Sequence, residues 1–132
     1  MPNGLLANIF VAQFIGTPKM NIIKITEKDI ISTNEVKFLG NNIKFSEINL
    51  TKKSYYFGIR PEHFSLSENC QYKFKPNIDL TENLGNEKIA YIKIDGNEIS
   101  AKIPSQKNII DQIGFDIKDI FVFDETGTRV RS

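Results

Sequence analysis

Short runs of alternating apolar and polar residues, parted by Asn, Gly and Ser, recur along most of this chain. A period of two with turn residues between the runs is the pattern of half-buried strands. Segments 21–26, 35–39, 43–48 and 55–60 fit it, and Gly40-Asn41-Asn42 fits a hairpin turn between the second and third. Alternation resumes at Phe74 and passes through Pro76, Ile78 and Leu80. A proline there assigns the run to a sheet edge or a strand start, because it cannot donate to a ladder. Segments 88–94 and 98–103 flank Asp95-Gly96-Asn97, and Asp-Gly readily takes the positive φ of a tight hairpin. Segments 115–118 and 120–123 lead into the turn Asp124-Glu125-Thr126-Gly127, with a last short strand at 128–131. The polar stretch 47–54 reads as a mobile loop.

The start of the chain differs. Its apolar run 5–15 ends at Gly16, with Pro18 two residues on, which is the stop signal of a helix. The run reads as a short helix, with a buried strand as the alternative because no clear period is present. Asn8 and Gln13 interrupt it, and it is about half as long as a membrane span. Residues 1–4 carry no Lys or Arg, so it lacks the basic lead of an export signal. Many short strands after one helix favour a barrel or sandwich over any βαβ arrangement. The expected division is therefore a helical lead-in at 1–18 and an all-β, OB-like barrel of short antiparallel strands at 19–132.

The chain has 132 residues, enough for a single core. Seventeen basic against sixteen acidic residues leave a charge of +1, so no global field gathers nucleic acid or anionic lipid. Partners must be recognised by local shape. The single cysteine, Cys70, excludes an intramolecular disulfide and fits a reducing cytoplasm. No Cys and His cluster has metal-ligand spacing, and no cofactor is expected.

Candidate chemistry is sparse. A P-loop needs Gly-x-x-x-x-Gly-Lys-Ser/Thr to cradle phosphates, and no such segment occurs. Neither a Gly-x-Gly-x-x-Gly loop nor a Gly-x-Ser-x-Gly elbow is present. His63 and Cys70 would form a nucleophilic pair only if the fold joined them; the preferred reading makes His63 part of a turn and Cys70 a small apolar residue. Asp116, Asp119, Asp124 and Glu125 fall where carboxylates commonly bond local backbone amides. Tyr55-Tyr56-Phe57, with Arg60, Lys52 and Lys53, resembles a stacking platform for single strands. Consecutive strand residues alternate faces, however, so Tyr55 and Phe57 are expected inside and Tyr56 outside.

Several segments together resemble one family, the C-terminal regulatory region of the ATP-binding subunits of maltose- and glycerol-3-phosphate-type ABC importers. Residues 7–21 resemble the segment that joins the ATPase domain to the regulatory barrel. Gly58-Ile59-Arg60-Pro61-Glu62-His63 resembles a signature of that barrel. Glu82-Asn83-Leu84-Gly85-Asn86-Glu87 and Phe121-Val122-Phe123-Asp124-Glu125-Thr126-Gly127 resemble two later family segments, in the same order. The resemblance implies a barrel related to OB folds (a TOBE-type domain) with no catalysis of its own, since the Walker A lysine, signature loop and Walker B acid belong to an upstream ATPase domain. It implies contacts with that ATPase domain or subunit, with a twin copy and with a cytoplasmic regulatory protein. It implies no nucleic acid, no membrane insertion, and a cytoplasmic place peripheral to the inner membrane. Gly58, Arg60, Pro61, Glu62, His63, Leu84, Gly85, Phe123, Asp124 and Gly127 are the candidate regulatory and interface residues. The alternatives are a free-standing binder of a small oxyanion or oligonucleotide, and a split-gene remnant without activity.

Overall fold

The computed structural model describes residues 19–108 and 111–131. The lead-in expected at 1–18, with its helix, lies outside them. Among the described residues twelve strands are present: β1 (Asn21–Ile25), β2 (Ile30–Ser32), β3 (Glu35–Phe38), β4 (Asn41–Lys44), β5 (Tyr55–Ile59), β6 (Tyr72–Phe74), β7 (Asn77–Asn83), β8 (Glu87–Ile94), β9 (Asn97–Pro104), β10 (Ile113–Phe115), β11 (Phe121–Asp124) and β12 (Arg129–Arg131). They form four antiparallel sheets, ordered β1-β5-β11-β12, β2-β3-β4, β6-β10 and β7-β8-β9. Three single 3-10 turns, Glu27–Asp29, Pro61–His63 and Ile117–Asp119, are the helical part. The fold is all-β, barrel-like and of OB type, as the strand pattern led us to expect.

Alternation sets the core. Ile23 and Ile25 of β1 are buried and Lys24 between them is exposed. Tyr55 and Phe57 of β5 are buried with only Tyr56 half-exposed between them, which disposes of a three-ring platform. Ala90 and Ile92 of β8 face Ala101 and Ile99 of β9, filling the other side. At the centre Phe115, fully buried, touches the rings of Phe38, Phe64, Tyr72 and Phe74 at centroid distances of 5.6, 6.3, 5.7 and 6.3 Å. Edge-to-face and offset contacts of this kind add to the stabilisation from burial itself.

One polar group is built into this interior. Asn21, 9% exposed, donates from Nδ2 to the carbonyls of Ile59 (3.1 Å) and Ser100 (2.9 Å). Its Oδ1 accepts from the Ser100 N–H at 2.8 Å. The side chain thereby ties β1 and β5 to β9 across two sheets.

The sequence expectations need correction at several boundaries. The β3–β4 turn is Leu39-Gly40, both with positive φ (49° and 76°), and Asn41 already belongs to β4. Two consecutive left-handed residues define the type I′ hairpin, whose twist matches the flanking strands. Asp95-Gly96 (51° and 79°) forms the other such turn, so Asn97 opens β9 rather than completing the turn. Strand β4 ends at Lys44, short of the expected 43–48, because the Phe45 N–H turns back to the Asn34 carbonyl at 2.8 Å. The run from Phe74 is two strands: Phe74 closes β6, and β7 starts directly after Pro76 as an edge strand, exposed at every residue. The expected strand 115–118 breaks at Asp116. Its Oδ1 accepts from the Gln71 N–H at 2.9 Å, while Gln71 Oε1 accepts from the Ile117 N–H at 2.8 Å, and a 3-10 turn follows. The polar stretch 47–54 has no regular strand, but buried Leu50 and a bond from the Lys52 N–H to the Tyr55 hydroxyl (2.9 Å) anchor it.

Candidate interaction surface

Strand β5 lies between β1 and β11, and its end carries the signature segment. Gly58 pairs with Ile22 on one side and Phe121 on the other. A Cβ at this position would stand 2.5 Å from Met20 Sδ and 3.2 Å from Ile22 Cδ1. A glycine therefore lets the small cluster of Met20 and Phe123, with Ile22, Tyr56 and Phe121 against it, close over the sheet. Proline fixes φ near its helical value without needing an N–H, so Pro61 suits the first position of the turn that follows. Pro61 is buried, and the turn packs against β9. Glu62 at its crest is exposed.

Arg60 and Arg129 both lie against the Phe121 ring, with guanidinium carbons 5.8 and 5.1 Å from its centroid. A ring face attracts cations, so one half-exposed phenylalanine orders two guanidinium groups on the surface beside Gly58. His63 Nδ1 lies 3.9 Å from Asp119 Oδ1, beyond hydrogen-bond range, and is buried without a hydrogen-bond partner. Cys70 is half-buried, its side chain occupying the space above Gly114, where an added Cβ would meet it at 2.5 Å. His63 thus sits in a turn and Cys70 in packing above Gly114.

The other candidates occupy two hairpin ends. Leu84 and Gly85 lie in the β7–β8 turn, where Leu84 is exposed, Gly85 has φ of 97°, and Asn83 Oδ1 accepts the Gly85 N–H at 3.0 Å. Phe123, Asp124 and Gly127 belong to the β11–β12 hairpin. Asp124 Oδ1 accepts from the Thr126 hydroxyl (2.6 Å) and from the N–H groups of Thr126 (2.9 Å) and Thr128 (3.0 Å). Gly127, with φ of 85°, donates to the Asp124 carbonyl at 2.9 Å. The fold thus brings the Gly58-to-His63 segment together with β11, while Leu84 and Gly85 belong to a different sheet.

Partial burial alone would raise the Asp124 carboxyl. The bond from the Thr126 hydroxyl, those from the Thr128 and Thr126 amides, and the Lys52 charge outweigh it and hold the group below its ordinary value of 3.8. A carboxyl lowered by folding adds stability that is complete above its ordinary value and disappears as pH falls through the lower folded value. Asp124→Asn is accordingly expected to lower the melting temperature modestly at neutral pH and to flatten its decline below about pH 4. Melting curves recorded from pH 7 to the acid limit would check this; parallel declines for the two proteins would contradict it.

Two further features were not singled out in the sequence. The Arg60–Phe121 contact depends on pairing between β5 and β11, which lie far apart along the chain. A cleft of about 450 Å3 is bordered by Lys24, Lys28 and Lys37, with Asp29, Asp95 and Asn97. Asp29 is already engaged by the Thr26 N–H at 3.0 Å. Among the described residues no group of three or more His, Cys, Asp or Glu side chains is placed to hold a metal, and no helix is long and apolar enough to cross a membrane.

No family model matches the chain. Curated proteins do. The chain is 29% identical to the trehalose/maltose import ATP-binding protein MalK of Thermococcus litoralis, over 91% of its own length and 36% of that protein. It is 32% identical to the sn-glycerol-3-phosphate import ATP-binding protein UgpC of Psychromonas ingrahamii, over 89% of its own length and 34% of that protein. It is 33% identical to the maltose/maltodextrin import ATP-binding protein MalK of Vibrio cholerae, over 69% and 26% respectively. The chain spans about a third of the length of the curated relatives it matches. With its strand-built fold and the Gly58-to-His63 segment at the end of its central strand, the chain is a homologue, over about a third of their length, of sugar- and glycerol-3-phosphate-type import ATP-binding subunits, consistent with their C-terminal domain.

Proposed function

We propose that this chain is a regulatory and dimerisation module for the ATP-binding subunit of an ABC-type sugar or glycerol-3-phosphate importer. It works by surface contact and does not itself hydrolyse ATP. Its partners are an ATPase domain of that family, a second copy of the module and a cytoplasmic regulatory protein. Its place is the cytoplasmic face of the membrane, reached through the transporter subunits.

The observation that carries this reading is the build of the signature segment. Gly58 and buried Pro61 fix the backbone, Arg60 is ordered on Phe121, and Glu62 is presented to solvent. Such a rigid, charged crest on a small domain suits recognition by shape and charge rather than bond-making. The relatives' names, all import or transport ATP-binding proteins, support the same assignment.

The test is phosphate release by the separate ATPase domain of an import ATP-binding subunit, with and without this chain. The chain alone is expected to release none, and its addition is expected to change the rate at least about twofold. Glu62→Lys should abolish the change without altering the melting temperature, because the residue is exposed. An unchanged rate with the unaltered chain would overturn the proposal.

The lysine-bordered cleft favours a second reading, a binder of a small oxyanion or oligonucleotide. Calorimetric titration with molybdate, sulfate and single-stranded DNA separates it from the first, which expects no heat of binding.

A further inference from the structure

We infer that the open edge of β7, with the outer face of β8 and β9 beside it, is a docking site for an extended segment of another protein that carries Lys or Arg among apolar residues.

The edge is geometrically ready. β7 is the outermost strand of its sheet, and all seven of its residues are exposed. A register shift between Ile78 and Leu80 disrupts its first part, but Leu80, Thr81, Glu82 and Asn83 pair regularly with Tyr91, Ala90, Ile89 and Lys88. That leaves a straight stretch able to accept another strand, whereas edges are usually blunted by bulges, charges or short length.

The adjoining face says what would bind. A shallow hollow is lined by Leu80, Thr81, Glu82, Tyr91 and Glu98. Leu80 is 54% exposed, an apolar floor open to solvent. Glu82 accepts from the Tyr91 hydroxyl at 3.0 Å. This bond, then burial, then the charges of Glu82 and Glu98, raise the Tyr91 phenol. The lining holds two carboxylates and no cation. Lys93, opposite Glu98 in the β8–β9 register, lies 4.0 Å from Asp79, and Lys19 borders a neighbouring hollow that shares Tyr91 and Glu98. An apolar floor between carboxylates fits the methylene stem and charged head of a long basic side chain. Main-chain pairing along Leu80 to Asn83 would fix its register.

The surface lies on a different sheet from the signature segment, and its test is independent of the regulatory reading. The probe is a fluorescein-labelled octapeptide of alternating Val and Lys, with a Val and Glu octapeptide as its counterpart, titrated with the whole chain and followed by anisotropy. Saturable binding of the lysine peptide alone is expected. Glu82→Gln with Glu98→Gln, both exposed positions, should weaken it at least about fivefold. Glu47→Gln with Glu125→Gln, exposed carboxylates elsewhere, should leave it unchanged. Equal binding of the two peptides, equal loss in the two double variants, or no saturation by 1 mM would overturn the proposal. So would a dimer of the chain that Leu80→Glu dissociates in sedimentation, since the edge would then belong to a second copy.

Discussion

Phe115→Ala is expected to cost about 3–5 kcal/mol of folding stability, the largest effect of any single truncation in the core. Phe115 is fully buried and meets four other aromatic rings from β3, β6 and the segment after the signature turn. Removing it loses the burial of a large side chain and leaves a void whose walls belong to separate sheets. These walls are braced by β5 and β9 and cannot all move inward together. With a total stability of about 5–15 kcal/mol for a domain of this kind, the variant sits near the edge of folding. Urea unfolding would measure the loss. Phe115→Leu, which keeps most of the volume, should retain more than half of the stability lost by alanine. A loss below about 1 kcal/mol for the alanine variant would mean that Phe115 is not the hub described.

Asn21→Ala is expected to cost about 2–4 kcal/mol, because it removes a group whose partners remain buried. The Ser100 N–H and the Ile59 and Ser100 carbonyls lose their cross-sheet bonds to it together. A buried polar group left without a partner costs more than the bond itself contributes. The effect should also be local. Hydrogen exchange at the Ser100 amide should accelerate at least about tenfold, with smaller changes at amides in β3 and β4, which belong to another sheet. Uniform acceleration in proportion to global stability would instead assign Asn21 a purely packing role.

Much of the architecture was legible in the sequence, and the reasons are visible at particular residues. Asp95-Gly96 takes the double positive φ that its composition announces, and the strands on either side followed from period-two alternation. Tyr55 and Phe57 fell inside and Tyr56 outside on the same ground. The Leu39-Gly40 turn was displaced by one residue because Leu39 takes a positive φ that leucine seldom adopts, hiding the turn from composition. The strand around Ile117 was lost to a tertiary bond, that between Gln71 and Asp116, which no local pattern carries. β7 was anticipated as an edge by Pro76, but its alternation did not reveal that Leu80 points to solvent. Alternation reports one apolar face; it does not report whether that face is covered.

The site was less legible than the fold. The signature segment drew attention to Gly58, Arg60, Pro61, Glu62 and His63 by resemblance, and local chemistry explained Gly58 and Pro61. The ordering of Arg60 by Phe121 arises only when β11 pairs with β5, whereas Arg129 reaches the same ring across the local β11–β12 hairpin. Asn21 looked like an ordinary strand-opening residue. Its importance lies in Ser100, which is distant in sequence and adjacent across the sheets.

Sedimentation of this chain mixed with the ATPase domain of an import ATP-binding subunit tests the central claim most directly. The account expects a complex at micromolar concentrations that Glu62→Lys weakens at least about tenfold. Two components sedimenting independently at tens of micromolar, with both folded, would contradict it.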